Sequence, residues 1–285
     1  MKNKFLLVII FIILLYACEY KKDNMKSKNV DLKELRDIPQ QSWDTLSNKK
    51  IYFGHQSVGY DIVDGITDIM QALPYIKLNV KDTKEPSNFE TPIFAHSGVG
   101  GNKYPLLKCE DFKVNIENGI GEKVDIAFFK YCWADIQKDT DVEKILQAYV
   151  ETITYLETKY PNVQFIYVTV PLQVPQSPLS LKGIIKRFLG YKYLGQEQEN
   201  IKRNSFNEFL REKCKGKILF DLEKIESTYS NGERYIIKRK NFKYISLIPE
   251  YTNDGGHPNE LGRKIIAKEL LKLLISNMGN RATPD

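Results

Sequence analysis

From Lys50 onward, short continuous apolar runs alternate with longer stretches of amphipathic spacing. No other feature of the chain limits its fold so strongly. "KIYF" reads as a short strand, and "GYDIVDGITDIMQAL" places Ile62, Ile66, Ile69 and Met70 on one helical face. "IKLNV" reads as a second strand, and "FAHSGVGGNK" as a Gly-rich loop after a brief apolar stretch. "KVDIAFFKY" and "VQFIYVTVP" read as buried strands, the latter stopped by Pro171. Between them, "DVEKILQAYVETITYLETKY" sets Ile145, Tyr149, Ile153 and Leu156 on one face of a long helix. "NSFNEFLREKC" is helical, "KILFDL" a strand, and "ELGRKIIAKELLKLLISN" a C-terminal helix. Strands that are apolar on both sides need cover on both sides, and a helix between successive strands makes them parallel. The expected fold is therefore α/β: a three-layer α/β/α sandwich, flavodoxin-like, around a central, mostly parallel sheet. Reactive groups in such sheets collect beyond the carboxyl ends of the strands. This places Ser57, the 96–101 loop and the 131–135 loop at one edge.

No linker or shift in composition interrupts residues 47–277, which read as one domain, followed by a tail at 278–285. Ahead of it, "MKNKFLLVIIFIILLYAC" has Lys2 and Lys4, then an apolar run from Phe5 to Tyr16. That is the pattern of a secretory signal, and it is short of the roughly 20 residues that span a bilayer. Leu15-Tyr16-Ala17-Cys18 resembles a bacterial lipoprotein signal. The resemblance implies removal of residues 1–17 and lipidation of Cys18; an ordinary secretory signal with an incidental Cys, or a short signal anchor, is the alternative. The resemblance also implies a membrane-anchored protein of the cell envelope, facing the periplasm or the exterior. Residues 18–46 then read as a tether, polar over Glu19–Lys28. Trp43 in this stretch either packs on the domain or lines a sugar site.

The formal net charge of +6 is spread along the chain, and the densest basic cluster is Lys238-Arg239-Lys240. No nucleic-acid motif accompanies it, so a solvated surface is expected and no nucleic-acid partner. Beyond Cys18, Cys109, Cys132 and Cys214 are odd in number and lack CxxC spacing, which suits neither a disulfide framework nor a zinc site. The three histidines, His55, His96 and His257, also lack close ligand spacing. No metal or cofactor is expected, and a monomer is. Residues 171–200 break the regularity, with Pro171, Pro175 and Pro178 ahead of Leu181, Ile184, Ile185 and Phe188 at helical spacing. This insertion reads as a surface helix, a lid, or a basic segment against anionic lipid.

The chemistry rests on few residues. In "IYFGHQSVGY" an apolar run ends at Gly54 and is followed by His55, Gln56 and Ser57. In "NDGGHPNELG" Asp254 precedes His257 by a Gly-Gly turn. A carboxylate at that spacing can reach the imidazole Nδ1–H and fix its tautomer. A capping Asp beside a surface His is the alternative. His96 next to Ser97 is a rival nucleophile pair, although neighbours on a strand point apart.

Together, a serine after the first strand, a Gly-rich loop after the next strands, and D-x-x-H before the last helix resemble the SGNH/GDSL hydrolases. The resemblance spans about residues 48–276. It implies an SGNH-hydrolase-like fold and ester cleavage, with Ser57 as nucleophile and Asp254 and His257 as its activating pair. It also implies that the Gly98–Gly101 stretch, with Gly98 and Gly100, helps to hold the oxyanion. The family's opening block is shorter than "GHQSVG". Its third block supplies an Asn to the oxyanion hole, where this chain has Ala134, with Asp135 beside it. Loss of one such donor costs about 100- to 1,000-fold in rate. Gln56, His55, Lys130, Asn102 and His96 are the candidates to replace it. The expected function is thus a lipid-anchored serine esterase acting on an ester of an acylated glycan or envelope component. The alternative is a non-catalytic glycan-binding or envelope-assembly lipoprotein that kept the fold.

Overall fold

The computed structural model describes residues 30–175, 194–238 and 242–278. The signal segment 1–17, Cys18, Glu19–Lys28, Arg239-Lys240 and the insertion residues Pro178, Leu181, Ile184, Ile185 and Phe188 lie outside them. The described residues from Leu32 onward belong to one compact unit, separate from the two described residues that precede it. All secondary structure of the described residues lies in that unit.

Six parallel strands form the central sheet: β1 (Lys50–His55), β2 (Val80–Asp82), β3 (Ile93–Gly98), β4 (Ile126–Phe129), β5 (Gln164–Val168) and β6 (Leu219–Phe220). Their spatial order is β2-β3-β1-β4-β5-β6, and every neighbouring pair is parallel. The chain leaves β1 to build one wing, then crosses back over it to build the other. Such a reversal opens a crevice at the carboxyl end of the strand where it occurs, here β1. Eight α-helices accompany the sheet among the described residues: α1 (Lys33–Arg36), α2 (Gln40–Ser47), α3 (Val58–Ala72), α4 (Pro105–Asn115), α5 (Val142–Lys159), α6 (Leu194–Lys213), α7 (Leu222–Glu226) and α8 (Glu260–Ser276). A small antiparallel hairpin, β7 (Ile236–Lys238) with β8 (Lys243–Ile245), completes the described elements.

Strand alternation decides which helices cover which face. Tyr52, Ala95, Ala127, Phe129, Phe165 and Tyr167 join one core with Phe112 of α4, Tyr149 and Ile153 of α5, and Phe206 and Leu210 of α6. Within it Tyr52 stacks on Phe112 at 5.9 Å between ring centroids, with planes 2° apart. α3 and α8 pack together as a pair, with α2 and α7 against α8. Their approach is close because of Gly65: a Cβ there would sit 2.3 Å from the Arg263 carbonyl oxygen. Arg263 also donates to both carboxylate oxygens of Asp68, at 2.7 and 3.1 Å. Caps mark the ends of these elements. The Asp141 side chain accepts from the Lys144 amide at the start of α5, and Asn259 accepts from the Gly262 amide at the start of α8.

Several local expectations shift. The second strand forms at Val80–Asp82, while Ile76 and Leu78 of "IKLNV" are buried as packing residues instead. The stretch read as a Gly-rich loop begins inside β3. "KILFDL" is a strand only at Leu219–Phe220, because Asp221 turns to cap α7. α4 carries no amphipathic signal: Leu106, Leu107 and Val114 are exposed while Lys108 and Asn115 are buried. Residues 32–46, within the stretch read as tether, carry α1 and most of α2, with Leu35, Trp43 and Leu46 buried. Trp43 is thus a packing residue, edge-on to Tyr75 at 6.5 Å. Among the described residues no helix is long and apolar enough to cross a membrane.

A methyl group at Gly65 gains about 1 kcal/mol of helix propensity but forces α3 and α8 apart. Overpacking of this kind costs roughly 1–3 kcal/mol. Gly65→Ala is therefore expected to lower the urea unfolding midpoint, and an unchanged or raised midpoint would contradict the backbone-close packing.

Candidate active site

Register brings three strand ends together. Gly54 of β1 lies between Ser97 of β3 and Phe129 of β4, and His55 pairs with Gly98. Only Gln56 and Ser57 separate β1 from α3. Ser57, the N-cap residue of α3, has φ 52° and ψ −111°. A positive φ is strained for any residue with a Cβ and persists only where its surroundings impose it. One such constraint lies directly beneath. The His55 ring is fully buried, and a Cβ on Gly59 would fall 2.2–2.4 Å from its atoms. Gly59 thus gives the imidazole room under the first turn of α3.

His55 Nε2 lies 3.0 Å from His96 Nδ1, and His55 Nδ1 is buried with no hydrogen-bond partner. A buried N–H without an acceptor costs more than a bare lone pair. His55 therefore carries its proton on Nε2 and donates it to His96. Burial, reinforced by the charge of Lys130, pushes the His55 imidazole down to about 2. Burial also lowers His96, although Asp82 and Asp64 pull the other way. The pair is a neutral element of the core.

Ser57 Oγ lies 2.6 Å from His257 Nε2, and His257 Nδ1 lies 2.6 Å from Asp254 Oδ2. Asp254 Oδ1 accepts from the backbone amides of Gly256 and His257, each at 2.8 Å. Partial burial raises the Asp254 carboxyl. The His257 amide and ring and the Gly256 amide outweigh it and hold the group well below the usual carboxylate range. An ionised Asp254 fixes the Nδ1–H tautomer, which leaves the Nε2 lone pair for the serine proton. The side chains of His257 and Asp254 are 42% and 57% exposed, so solvent screens their attraction.

The other expected residues are placed differently. His55 turns to His96, and Gln56 Nε2 donates to the Gly100 carbonyl at 2.8 Å. A Cβ on Gly98 would lie 2.9 Å from Gln56 Nε2, so the amide crosses over that glycine. The Gly100 amide is itself engaged, donating to Asp111 Oδ2 at 2.8 Å. Lys130 is fully buried, with Nζ 3.1 Å from the Gln56 carbonyl oxygen. Asn102 accepts from Lys108, whose Nζ also lies 2.5 Å from Asp135 Oδ2 in a buried ion pair. Ala134 is buried in a short 3-10 turn, Trp133–Asp135. The amides of Ser57 and Val58 head α3, where first-turn N–H groups lack intrahelical partners. They are the natural site for a developing negative charge. Ser97 and His96 part company: Ser97 Oγ bonds Tyr52 Oη at 2.8 Å, while His96 bonds His55.

Further residues shape the site without a signal in the sequence. Trp133 stands edge-on to His257 at 6.0 Å, and a Cβ on Gly256 would lie 3.2 Å from its ring. Buried Arg203 of α6 holds the Trp133 and Ile136 carbonyls at 2.9 and 3.2 Å. Asn200 clamps the Gln173 backbone through both its amide atoms. Val174 in turn donates to the Gly255 carbonyl at 2.8 Å. Four residues after Ser57 on α3, Asp61 has a buried, unpartnered Oδ2. Burial raises its carboxyl, while the charge of His257 acts to lower it. Only the run "YCWAD" after a buried strand could have drawn attention to Trp133.

The state of His55 has a measurable consequence. The unfolded chain takes up a proton on this residue near 6.5, whereas the folded chain resists until about 2. Between those values the unfolded state binds more protons, so stability falls as pH falls. The urea midpoint is expected to drop between about pH 7 and about pH 5, and His55→Gln is expected to flatten that slope while lowering stability at neutral pH. Equal slopes in the two proteins would contradict a buried neutral His55.

No family model and no curated protein matches the chain. Solved structures similar to it include a Streptococcus pneumoniae protein whose name refers to platelet activating factor. It is 17% identical, with a TM-score of 0.47 over 91% of this chain and 99% of that one. An acetyl xylan esterase is 15% identical, with a TM-score of 0.46 over 78% of this chain and 98% of its own. A Slackia heliotrinireducens protein assigned to the SGNH hydrolases is 11% identical, with a TM-score of 0.43 over 80% and 97%. Across most of its length the chain is similar in structure to these SGNH-type and esterase structures.

Proposed function

We propose that the protein is a divergent serine hydrolase of the SGNH/GDSL type that cleaves esters. The observation that carries this reading is the continuous hydrogen-bonded line from Ser57 through His257 to Asp254. Ser57 Oγ attacks the ester carbonyl carbon and passes its proton to His257 Nε2. Asp254 keeps the imidazole oriented and stabilises the imidazolium. The oxyanion forms against the amides of Ser57 and Val58. Collapse breaks the bond to the alcohol, which leaves with the proton from His257. Water then attacks the acyl-serine carbonyl and gives a proton to His257, which returns it to Ser57 Oγ as the acyl–oxygen bond breaks and the free acid leaves.

The substrate class we assign is an acylated glycan or other envelope component, because Leu15-Tyr16-Ala17-Cys18 resembles a lipoprotein signal. In this reading Cys18 carries the anchor and the domain works in the cell envelope, facing the periplasm or the exterior. Incorporation of labelled fatty acid that Cys18→Ala abolishes is the expected outcome. Unchanged incorporation would contradict the anchor.

A second reading has one observation in its favour. Ala134 offers no donor where the resemblance calls for an Asn side chain. A glycan-binding or envelope-assembly protein that kept the fold would tolerate that loss. Hydrolysis of p-nitrophenyl acetate separates the two. Turnover is expected, abolished in Ser57→Ala and reduced at least about 1,000-fold in His257→Ala. Asp254→Asn is expected to cost less than His257→Ala, because the carboxylate is screened by solvent. A folded wild type with no turnover would favour the binding protein.

A further inference from the structure

We propose that Lys130 and Cys132 are positioning residues that set the direction and strength of the Ser57 N–H as an oxyanion donor. This rests on the serine-hydrolase reading. Lys130 Nζ and Cys132 Sγ both lie 3.1 Å from one acceptor, the Gln56 carbonyl oxygen. Both side chains are fully buried. The other contacts of Nζ are the Tyr131 carbonyl at 3.4 Å and Cys132 Sγ at 3.3 Å. A buried cation resting on carbonyls and a thiol is costly, and an apolar residue of similar length would fill the space without that cost.

The peptide that receives these donors is the one whose N–H belongs to Ser57. No peptide bond among the described residues is cis, and in a planar trans peptide C=O and N–H point in opposite directions. Holding the Gln56 carbonyl inward, against the end of β4, turns the Ser57 N–H outward to the side of the reacting carbonyl. The same peptide precedes a residue at φ 52°, where rotation would relieve strain, so these two bonds resist a flip together with the Gly59 amide, which donates to the same oxygen at 3.1 Å. A cation on the carbonyl also polarises the peptide and strengthens its N–H as a donor. Cys132 is a fixed partner, because its amide donates to Asp135 Oδ2 at 2.6 Å and Asp135 is held by Lys108. With Ala134 unable to donate, a stronger backbone donor is the compensation this arrangement supplies.

The test uses Lys130→Met, Cys132→Val and Cys132→Ser in the full chain. Each is measured for p-nitrophenyl acetate kinetics, rate of fluorophosphonate labelling and unfolding midpoint. Lys130→Met and Cys132→Val are expected to lower kcat roughly 10- to 100-fold with KM within about twofold. Labelling should slow in parallel. Cys132→Ser, whose hydroxyl can donate to the same carbonyl, should recover most of the loss. Folded Lys130→Met and Cys132→Val proteins with wild-type kcat and labelling rate would overturn the assignment. So would a change confined to KM or the unfolding midpoint, with Cys132→Ser no better than Cys132→Val. If Lys130→Met does not fold, the Cys132 pair decides. A wild type that neither turns over nor labels overturns the proposed function and this assignment with it. A working wild type with unaffected variants overturns this assignment alone.

Discussion

The burial of the His55 ring beneath the first turn of α3 is the contact on which the site geometry depends. The ring fills the space that a Cβ on Gly59 would need, so α3 can begin almost directly above the end of β1. Two residues must then complete the reversal, and Ser57 takes the positive φ that results. That conformation brings Oγ to His257, 2.6 Å from its Nε2, at the N-terminus of α3. The neutral His55–His96 pair makes this possible, because a charged imidazole would not tolerate the same burial. Two histidines that look reactive in the sequence thus serve the packing under the reactive turn.

The opposing half of the site is held from the far wing of the sheet. α6 contributes Arg203 and Asn200, which fix the 133–136 and 171–174 segments through backbone carbonyls and amides. Glu226 of α7 accepts from the Leu172 amide, and burial pushes its carboxyl well above the ordinary range. These segments carry Trp133 and Val174 against the Asp254–His257 turn. Asn259 then closes the turn by capping α8, which packs on α3. Serine and histidine thus come from two helix entrances tied together along the Gly65 crossing.

Legibility in the sequence followed physical range. Alternating apolar runs and helical spacing gave the layered parallel sheet, because each buried strand must be covered on both faces. The Asp254–His257 contact was readable because it is local, spanning one Gly-Gly turn. The Ser57–His257 contact joins distant residues and was readable only through the resemblance and the rule that strand ends gather the chemistry. α4 was not readable, since it buries Lys108 and Asn115 and exposes leucines. Nor was the use of Lys130, whose type suggests an open cation and whose surroundings make it a buried donor to the Gln56 and Tyr131 carbonyls and the Cys132 thiol. Such roles depend on side-chain direction at a strand end, which spacing alone does not encode.

Attack by Ser57 is the step on which the proposed hydrolysis turns. Its most direct test is mass-spectrometric mapping of the wild-type protein after reaction with a fluorophosphonate. A nucleophilic Ser57 gives one adduct, on the peptide that contains Ser57, and none on the peptide that contains Ser97. Modification at Ser97, or a folded protein that takes up no label, would contradict it.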